Sequence, residues 1–262
     1  MNLFDKDILL TDLGNSRFSG VVSDNWSVNG NPNGGYLMAM IADAMLRSSD
    51  KKNTPLVTAN YLSRCVPGEV EIQISEIARS RQFTRFEARV FQNRKEKIRA
   101  LGTFASDNTR CNVERYEKTP PELATVEKCV QIPLMPKYTL FHNLDLRLDS
   151  GCAGWMLGNL TDVSQNKGYF SFSDGRHIDL LSLFLIIDAM PPAALATQGM
   201  NAWVPTIELS VNIRNLPQTN RLKCILRTHF ITCGLLEADG EVWDEKGNLA
   251  AISRQIAQFK TG

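Results

Sequence analysis

The sequence has no excess of charge of either sign and no hydrophobic run long enough to span a membrane. Its 262 residues include 29 Lys and Arg and 28 Asp and Glu, so no electrostatic attraction to nucleic acid or to an anionic membrane is expected. The longest strongly apolar run, LLSLFLII at 180–187, is far shorter than the roughly 20 residues of a membrane-spanning helix. The first residues, MNLFDKDILL, place two aspartates where a secretory signal would be basic. We therefore predict a cytoplasmic protein with neither nucleic-acid partners nor membrane insertion.

Motifs for metal or nucleotide binding are also missing. The six cysteines form no Cys-x-x-Cys pair and the three histidines no HExxH motif, which argues against a zinc site. The patterns GxSxG, GxxxxGKS/T and GxGxxG are absent, which argues against an elbow-type serine hydrolase, a P-loop NTPase and a Rossmann dehydrogenase. Neither a metal nor another cofactor is predicted.

What the sequence does contain is an internal repeat. The segments 33–45 (NGGYLMAMIADAM) and 178–190 (IDLLSLFLIIDAM) are both apolar and both end in Asp-Ala-Met. Strand-like segments follow each of them in the same order, and their alignment matches Phe91 with Trp243 and Thr103 with Gln255. Such a repeat indicates two copies of one structural unit.

Each copy has the pattern of one helix followed by several long strands. Asn33 is expected to cap the first helix, and the residues from Ile207 to Ile213 alternate between apolar and polar as in a half-buried strand. We predict an α+β fold in which two tandem helix-on-antiparallel-sheet units form one continuous sheet. The two units are predicted at residues 1–106 and 137–262, and the proline-containing segment 107–136 is predicted to be a linker.

These segments resemble the double-hotdog architecture and, in detail, the type II (TesB-like) acyl-CoA thioesterases. In the first half, NGGY at 33–36 is similar to the family's opening helix, where a Gly-Gly pair precedes an apolar run. In the second half, the segments that follow the family's order are GYFSFSDG at 168–175, LFLIIDAMPPA at 183–193, WVPTIELSVNIR at 203–214 and GEVWDEKGNLAAISRQIA at 240–257. The resemblance spans nearly the whole chain.

The resemblance implies hydrolysis of a fatty acyl-CoA by a water molecule that an Asp, a Thr or Ser and a Gln of the second half activate. These residues fall on Asp188, Thr206 and Gln255. The first half carries Asp43 at the helix position but Thr103 where the glutamine would be, which implies one competent and one decayed site. The residues assigned to substrate binding are Gly34, Gly35, Tyr36 and Gly234.

The residues themselves leave alternatives open. Apolar neighbours and a position near a helix C-terminus would both raise the pKa of Asp188 and make it a better base, but a solvated carboxylate is the plain alternative. Alternation puts Thr206 on the face of Glu208 and Ser210, which is equally the wet face of a sheet. Gln255 has small same-face neighbours, which leave room for a ligand or allow close packing.

The Gly34-Gly35 pair also has two readings. Glycines allow a backbone to approach a ligand closely, or they simply begin a helix beneath the sheet. A backbone N–H at this helix start would be able to polarise the carbonyl of a bound thioester.

Two other functions compete with hydrolysis. A hotdog enoyl-CoA hydratase or dehydratase would carry an Asp-x-Asn-Pro-x-His core, of which residues 29–34 (NGNPNG) retain only Asn-Pro. A non-catalytic acyl-CoA-binding protein would retain its ligand without turnover. For all three functions the open sheet edges predict a homo-oligomer, most simply a homodimer.

Overall fold

The computed structural model describes residues 1–106, 113–200 and 202–261. Residues 107–112 of the predicted linker lie outside this description. Two helices carry the apolar segments of the repeat, α2 (Gly34–Ser48) and α3 (Leu180–Ala189), and the shorter helices are α1 (Leu3–Asp7) and α4 (Leu195–Gln198). Within these ranges no helix is long and apolar enough to cross a membrane.

The strands also fall into two sets. Those of the first half are β1 (Leu10–Gly14), β2 (Arg17–Val22), β3 (Ser27–Val28), β4 (Asn31–Pro32), β5 (Asn53–Tyr61), β6 (Gly68–Arg79), β7 (Phe83–Gln92) and β8 (Lys95–Ala105). Those that follow are β9 (Val130–Gln131), β10 (Leu144–Leu148), β11 (Gln165–Phe172), β12 (Ala202–Trp203), β13 (Thr206–Ile213), β14 (Leu222–Arg227), β15 (Ile231–Thr232), β16 (Leu235–Asp244), β17 (Leu249–Gln258) and β18 (Lys260–Thr261).

One antiparallel sheet runs through both halves. Its strand order is β1-β2-β6-β7-β8-β5-β13-β17-β16-β14-β11-β10-β9, with β15 paired to β16. The halves join where β5 pairs with β13, and there the Thr58 hydroxyl donates to the Ser210 hydroxyl at 2.9 Å. The predicted continuous sheet is therefore confirmed. The outermost strand, β9, comes from the segment 107–136, and the division into two domains and a linker stays a prediction.

The two long helices pack against each other and against one face of the sheet. The interior residues of α2 from Gly35 to Ala42 are buried, as are Ser182 to Ile187 of α3, so both helices are apolar on most sides. Asn33 caps α2, as predicted, because its Oδ1 accepts from the Tyr36 N–H at 2.9 Å. The last turn of α3 meets this capped end of α2, and the site lies at that junction.

The strand β13 departs from simple alternation at one residue. Leu209 faces the core, but Ile207 is 40% exposed, because a β-bulge shifts the register with β17 between Thr206 and Glu208. The extra residue turns Thr206 to the inner face, opposite the buried Ala257. The expectation that Thr206 shares the face of Glu208 is therefore wrong.

The alignment of Thr103 with Gln255 is also wrong. Gln255 pairs with Ala238 of β16, whereas Phe86, the corresponding residue of β7, pairs with Gly102. The β16–β17 hairpin contains one residue more than the β7–β8 hairpin, which displaces the sequence match by one position. Since side chains alternate along a strand, Thr103 lies on the outer face and Gly102 occupies the inner position.

Candidate active site

Asp188 lies in the last turn of α3 and connects three elements. Its Oδ2 accepts from the Gly35 N–H at 2.9 Å and from Asn33 Nδ2 at 3.0 Å, both at the start of α2. Its Oδ1 accepts from Gln255 Nε2 of β17 at 3.1 Å. The carboxylate of α3 is therefore held by donors from the start of α2 and from β17 of the sheet.

The three residues predicted to be catalytic form one connected group. The same Gln255 Nε2 that reaches Asp188 also donates to Thr206 Oγ1 at 2.6 Å. Gln255 reaches inward between the small side chains of Ala257 and Ser253, and the bulge in β13 brings Thr206 to the same face. Because the Thr206 oxygen accepts from Gln255, its own hydrogen can be donated to a further acceptor.

Burial outweighs hydrogen bonding at the carboxylate. Removal from water raises the pKa of Asp188 to about 6, although the donors on Gly35, Asn33, Gly34 and Gln255 lower it. The Tyr61 ring lies close by, and burial, together with the negative charge of Asp188, raises the pKa of its hydroxyl. Asp188 therefore titrates in the range where a carboxylate can both take up and release a proton.

The two glycines at the start of α2 allow a very close approach. A Cβ on Gly35 would overlap the Phe184 carbonyl oxygen and lie 2.8 Å from the Cβ of Asp188. A Cβ on Gly34 would lie 2.9 Å from the Tyr61 hydroxyl and 3.1 Å from Asp188 Oδ2. The absence of side chains at these two glycines therefore allows α2 to contact both α3 and the Asp188 carboxylate.

Two N–H groups at this helix start are used within the protein and do not support the expected polarisation of a substrate carbonyl. Gly35 donates its N–H to Asp188, and Tyr36 donates its N–H to Asn33 Oδ1. Both bonds pair polar groups that would otherwise be buried without a partner, namely the helix-start N–H groups and the oxygens of Asp188 and Asn33.

Tyr36 and Gly234 are not brought to the triad. The Tyr36 hydroxyl donates to the Asp7 carbonyl at 2.8 Å and accepts from the Ser23 N–H at 3.0 Å, and its ring stacks on Trp26. Gly234 lies in the exposed turn between β15 and β16, with φ of 73°. Their assignment to substrate binding stays a prediction, and these contacts do not support it.

Two residues at the site were not among the predicted ones. The sequence predicts Asn33 only as a helix cap, and its place next to the Gly-Gly pair is the available signal for a second role. Tyr61, whose hydroxyl donates to the Gly34 carbonyl at 2.7 Å, has no comparable signal, because nothing in the local sequence shows that β5 passes beside α2.

The corresponding place in the first half has different chemistry. Asp43 forms an ion pair with Arg47 at 2.7 Å, and burial raises its pKa while Arg47 opposes that effect. Gly102 stands where the second half has Gln255, and the sulfur of Met45 packs so closely on it that a Cβ there would overlap the sulfur. This half therefore lacks both the amide and the space around it.

Two cavities lie elsewhere, and neither is lined by the triad. One of about 1020 Å³ lies over β1, β2 and β6, and one of about 510 Å³ lies over β13, β16 and β17. Among the residues that the structure describes, no group of three or more His, Cys, Asp or Glu side chains is placed to hold a metal ion.

Comparison with protein families gives matches over most of the chain. Residues 22–105 match the acyl-CoA thioesterase N-terminal domain, and residues 120–259 match the acyl-CoA thioesterase C-terminal domain. A comparison with curated protein sequences finds none that matches significantly.

Solved structures agree with the predicted fold. A protein from Thermobifida fusca YX described as a proposed thioesterase II has a TM-score of 0.90 at 22% identity, with coverage of 99% of this chain and 98% of that one. A hot-dog-fold protein from Alicyclobacillus acidocaldarius has a TM-score of 0.90 at 18% identity, over 100% and 99% of the two chains. An acyl-CoA thioesterase II from Mycobacterium marinum has a TM-score of 0.79 at 14% identity, over 99% and 98%. The double-hotdog fold is thereby confirmed.

Proposed function

The chain belongs to the acyl-CoA thioesterase family and is a thioester hydrolase, and from this premise we propose that it hydrolyses a fatty acyl-CoA at the triad of Asp188, Thr206 and Gln255. One observation carries the assignment of these residues. A single amide nitrogen, Gln255 Nε2, donates to both Asp188 and Thr206, so three polar side chains converge at the junction of α3, β13 and β17.

The free positions of the triad match the needs of a bound water molecule. Both Nε2 hydrogens of Gln255 are used within the triad, and its Oε1 is an acceptor with two lone pairs. Asp188 Oδ1 has a further lone pair, and the Thr206 hydroxyl has a hydrogen to donate. A water molecule that donates to Asp188 and Gln255 and accepts from Thr206 keeps one lone pair for attack.

The reaction then needs no covalent intermediate on the protein. Asp188 accepts a proton from the water as its oxygen bonds to the thioester carbonyl carbon. The tetrahedral intermediate collapses, the carbon–sulfur bond breaks, and the proton on Asp188 passes to the departing CoA sulfur. The products are the free acid and CoA, and Asp188 is again ionised.

Three further properties accompany this proposal. The first half lacks the glutamine, so each chain has one active site. Association into a homodimer would use the sheet edges at β1 or β9, where a strand has only one neighbour. The cytoplasmic location stays a prediction of the sequence.

The test is thiol release from acyl-CoAs of increasing chain length, followed with a thiol-reactive dye. Asp188→Asn removes the base while retaining size, and we expect it to lower kcat at least about 100-fold, the lower end of what general-base catalysis contributes. Asp43→Asn, the same change at the corresponding helix position of the first half, is the matched control and should retain wild-type turnover.

Two results would contradict the proposal. Full turnover by the folded Asp188→Asn protein would exclude Asp188 as the base. Tight binding of acyl-CoA without thiol release at any chain length would favour the non-catalytic acyl-CoA-binding protein.

A further inference from the structure

Asn33 makes more contacts with Asp188 than a helix cap requires. Its Oδ1 accepts from the Tyr36 N–H, which completes the cap of α2. Its Nδ2 donates to Asp188 Oδ2 at 3.0 Å and to the Asp188 carbonyl oxygen at 2.9 Å. Because an N–H occupies Oδ1, the orientation of the amide is determined and both of its hydrogens face Asp188.

We propose that Asn33 is the positioning residue for Asp188. Asn33 fixes the Oδ2 atom of Asp188 and leaves the Oδ1 atom of Asp188 to exchange a proton with the water. This inference rests on the proposed function of Asp188 as the base. Asn33 does not contact the reacting atoms in this arrangement and acts through the carboxylate.

The two oxygens of Asp188 have different surroundings as a result. Oδ2 accepts from Asn33 and Gly35 and lies beside Gly34, whose backbone N–H also lowers the pKa of the carboxyl, whereas Oδ1 accepts from Gln255. A proton is therefore taken up more readily at Oδ1, on the side of Gln255 and Thr206. The bond from Asn33 also favours the ionised carboxylate and so opposes the effect of burial on its pKa.

The contact to the carbonyl oxygen fixes the backbone as well. Asp188 lies in the last turn of α3, where carbonyl groups lack a partner within the helix. Asn33 satisfies this carbonyl, and the same side chain caps α2. Few side chains could do both, because serine lacks the two donors and aspartate would face Asp188 with a second negative charge.

Two variants of Asn33 separate positioning from capping. Asn33→Ser and Asn33→Asp both retain an oxygen that can cap α2, but neither retains the Nδ2 donors. The matched control is Asn31→Ser, because Asn31 Nδ2 donates to the Val28 and Asn29 carbonyls in the neighbouring turn. If Asn33→Ser fails to fold, Asn33→Asp, which has nearly the size of asparagine, serves in its place.

The first measurement is the pH profile of kcat. We expect the acid limb, set by the pKa of Asp188 at about 6, to move upward by about one pH unit in Asn33→Ser, because the variant loses a hydrogen bond that favours the ionised carboxylate. The shift should be larger in Asn33→Asp, and turnover of Asn33→Ser should recover as the pH rises. A merely structural role would lower Tm without moving this limb.

The second measurement does not depend on turnover. The carboxyl carbon of Asp188 is titrated by NMR with labelled aspartate and identified by its absence in Asp188→Asn. The inference is supported if the pKa of Asp188 is higher than in the wild type in Asn33→Ser and unchanged in Asn31→Ser. An unchanged pKa in both Asn33 variants overturns it. Full turnover in Asp188→Asn would instead overturn the proposed function, so the two failures are distinguishable.

Discussion

At the scale of single residues, the site contains a carboxylate, Asp188, whose ionised form is disfavoured by burial in the folded protein. Burial raises the pKa of Asp188 from 3.8 to about 6, so the folded protein binds a proton more tightly there than the unfolded chain does. The stability that this group contributes is complete at low pH and is lost as the pH rises through about 6. The ionised form, which the proposed mechanism requires as the base, is thus the form that destabilises the fold.

We predict that Asp188→Asn removes this pH dependence. From pH 5 to pH 7.5 the free energy of unfolding of the variant, relative to that of the wild type, should rise by about 1.4 kcal/mol, given a folded pKa of about 6. Urea denaturation at both pH values measures the difference. Asp162→Asn, at an exposed carboxylate, is the control, and an equal difference at both pH values would contradict the assigned cause.

At the scale of elements, the site depends on how closely the start of α2 approaches the end of α3. The glycine pair allows this approach, and the Gly35 N–H can reach Asp188 only because no side chain separates the two helices. The contact is made with the backbone of α3, which cannot move aside as a flexible side chain can.

We predict that Gly35→Ala separates the helices. The added methyl group would meet the Phe184 carbonyl oxygen, so the variant should lose about 1–3 kcal/mol of unfolding free energy and most of its thioesterase turnover. Gly34→Ala adds the same group one residue earlier, where its close neighbours are the side chains of Tyr61 and Asp188. Denaturation curves should show the smaller loss for Gly34→Ala, and equal losses would contradict this explanation.

The elements also show where the sequence is informative. The two long helices and the cap at Asn33 follow from apolar periodicity and local residue types. The bulge at Ile207 does not, because it depends on how β13 fits against β17, and simple alternation therefore places Thr206 on the wrong face. One extra residue in a hairpin likewise misplaces the counterpart of Gln255.

At the scale of the whole molecule, duplication produces one continuous sheet but only one complete triad. The two halves share their helix-on-sheet plan, and each helix contributes to the same site, α3 through Asp188 and α2 through its N-terminus. The repeat in the sequence predicts the shared plan. The composition of the site across the two halves is not predictable from either copy alone, because it depends on the packing of α2 against α3.

The first-half counterpart should therefore bind no second substrate. Asp43 is paired with Arg47, and Met45 fills the space beside Gly102 that the amide of Gln255 would need. We expect calorimetric titration with a non-hydrolysable acyl-CoA analogue to give one equivalent per chain, both in the wild type and in Asp43→Asn. Two equivalents in the wild type, with one lost in Asp43→Asn, would show instead that the first half retains a working site. An ion pair and a methionine sulfur would then be displaced by the ligand, a cost that Asp188 and its partners do not incur.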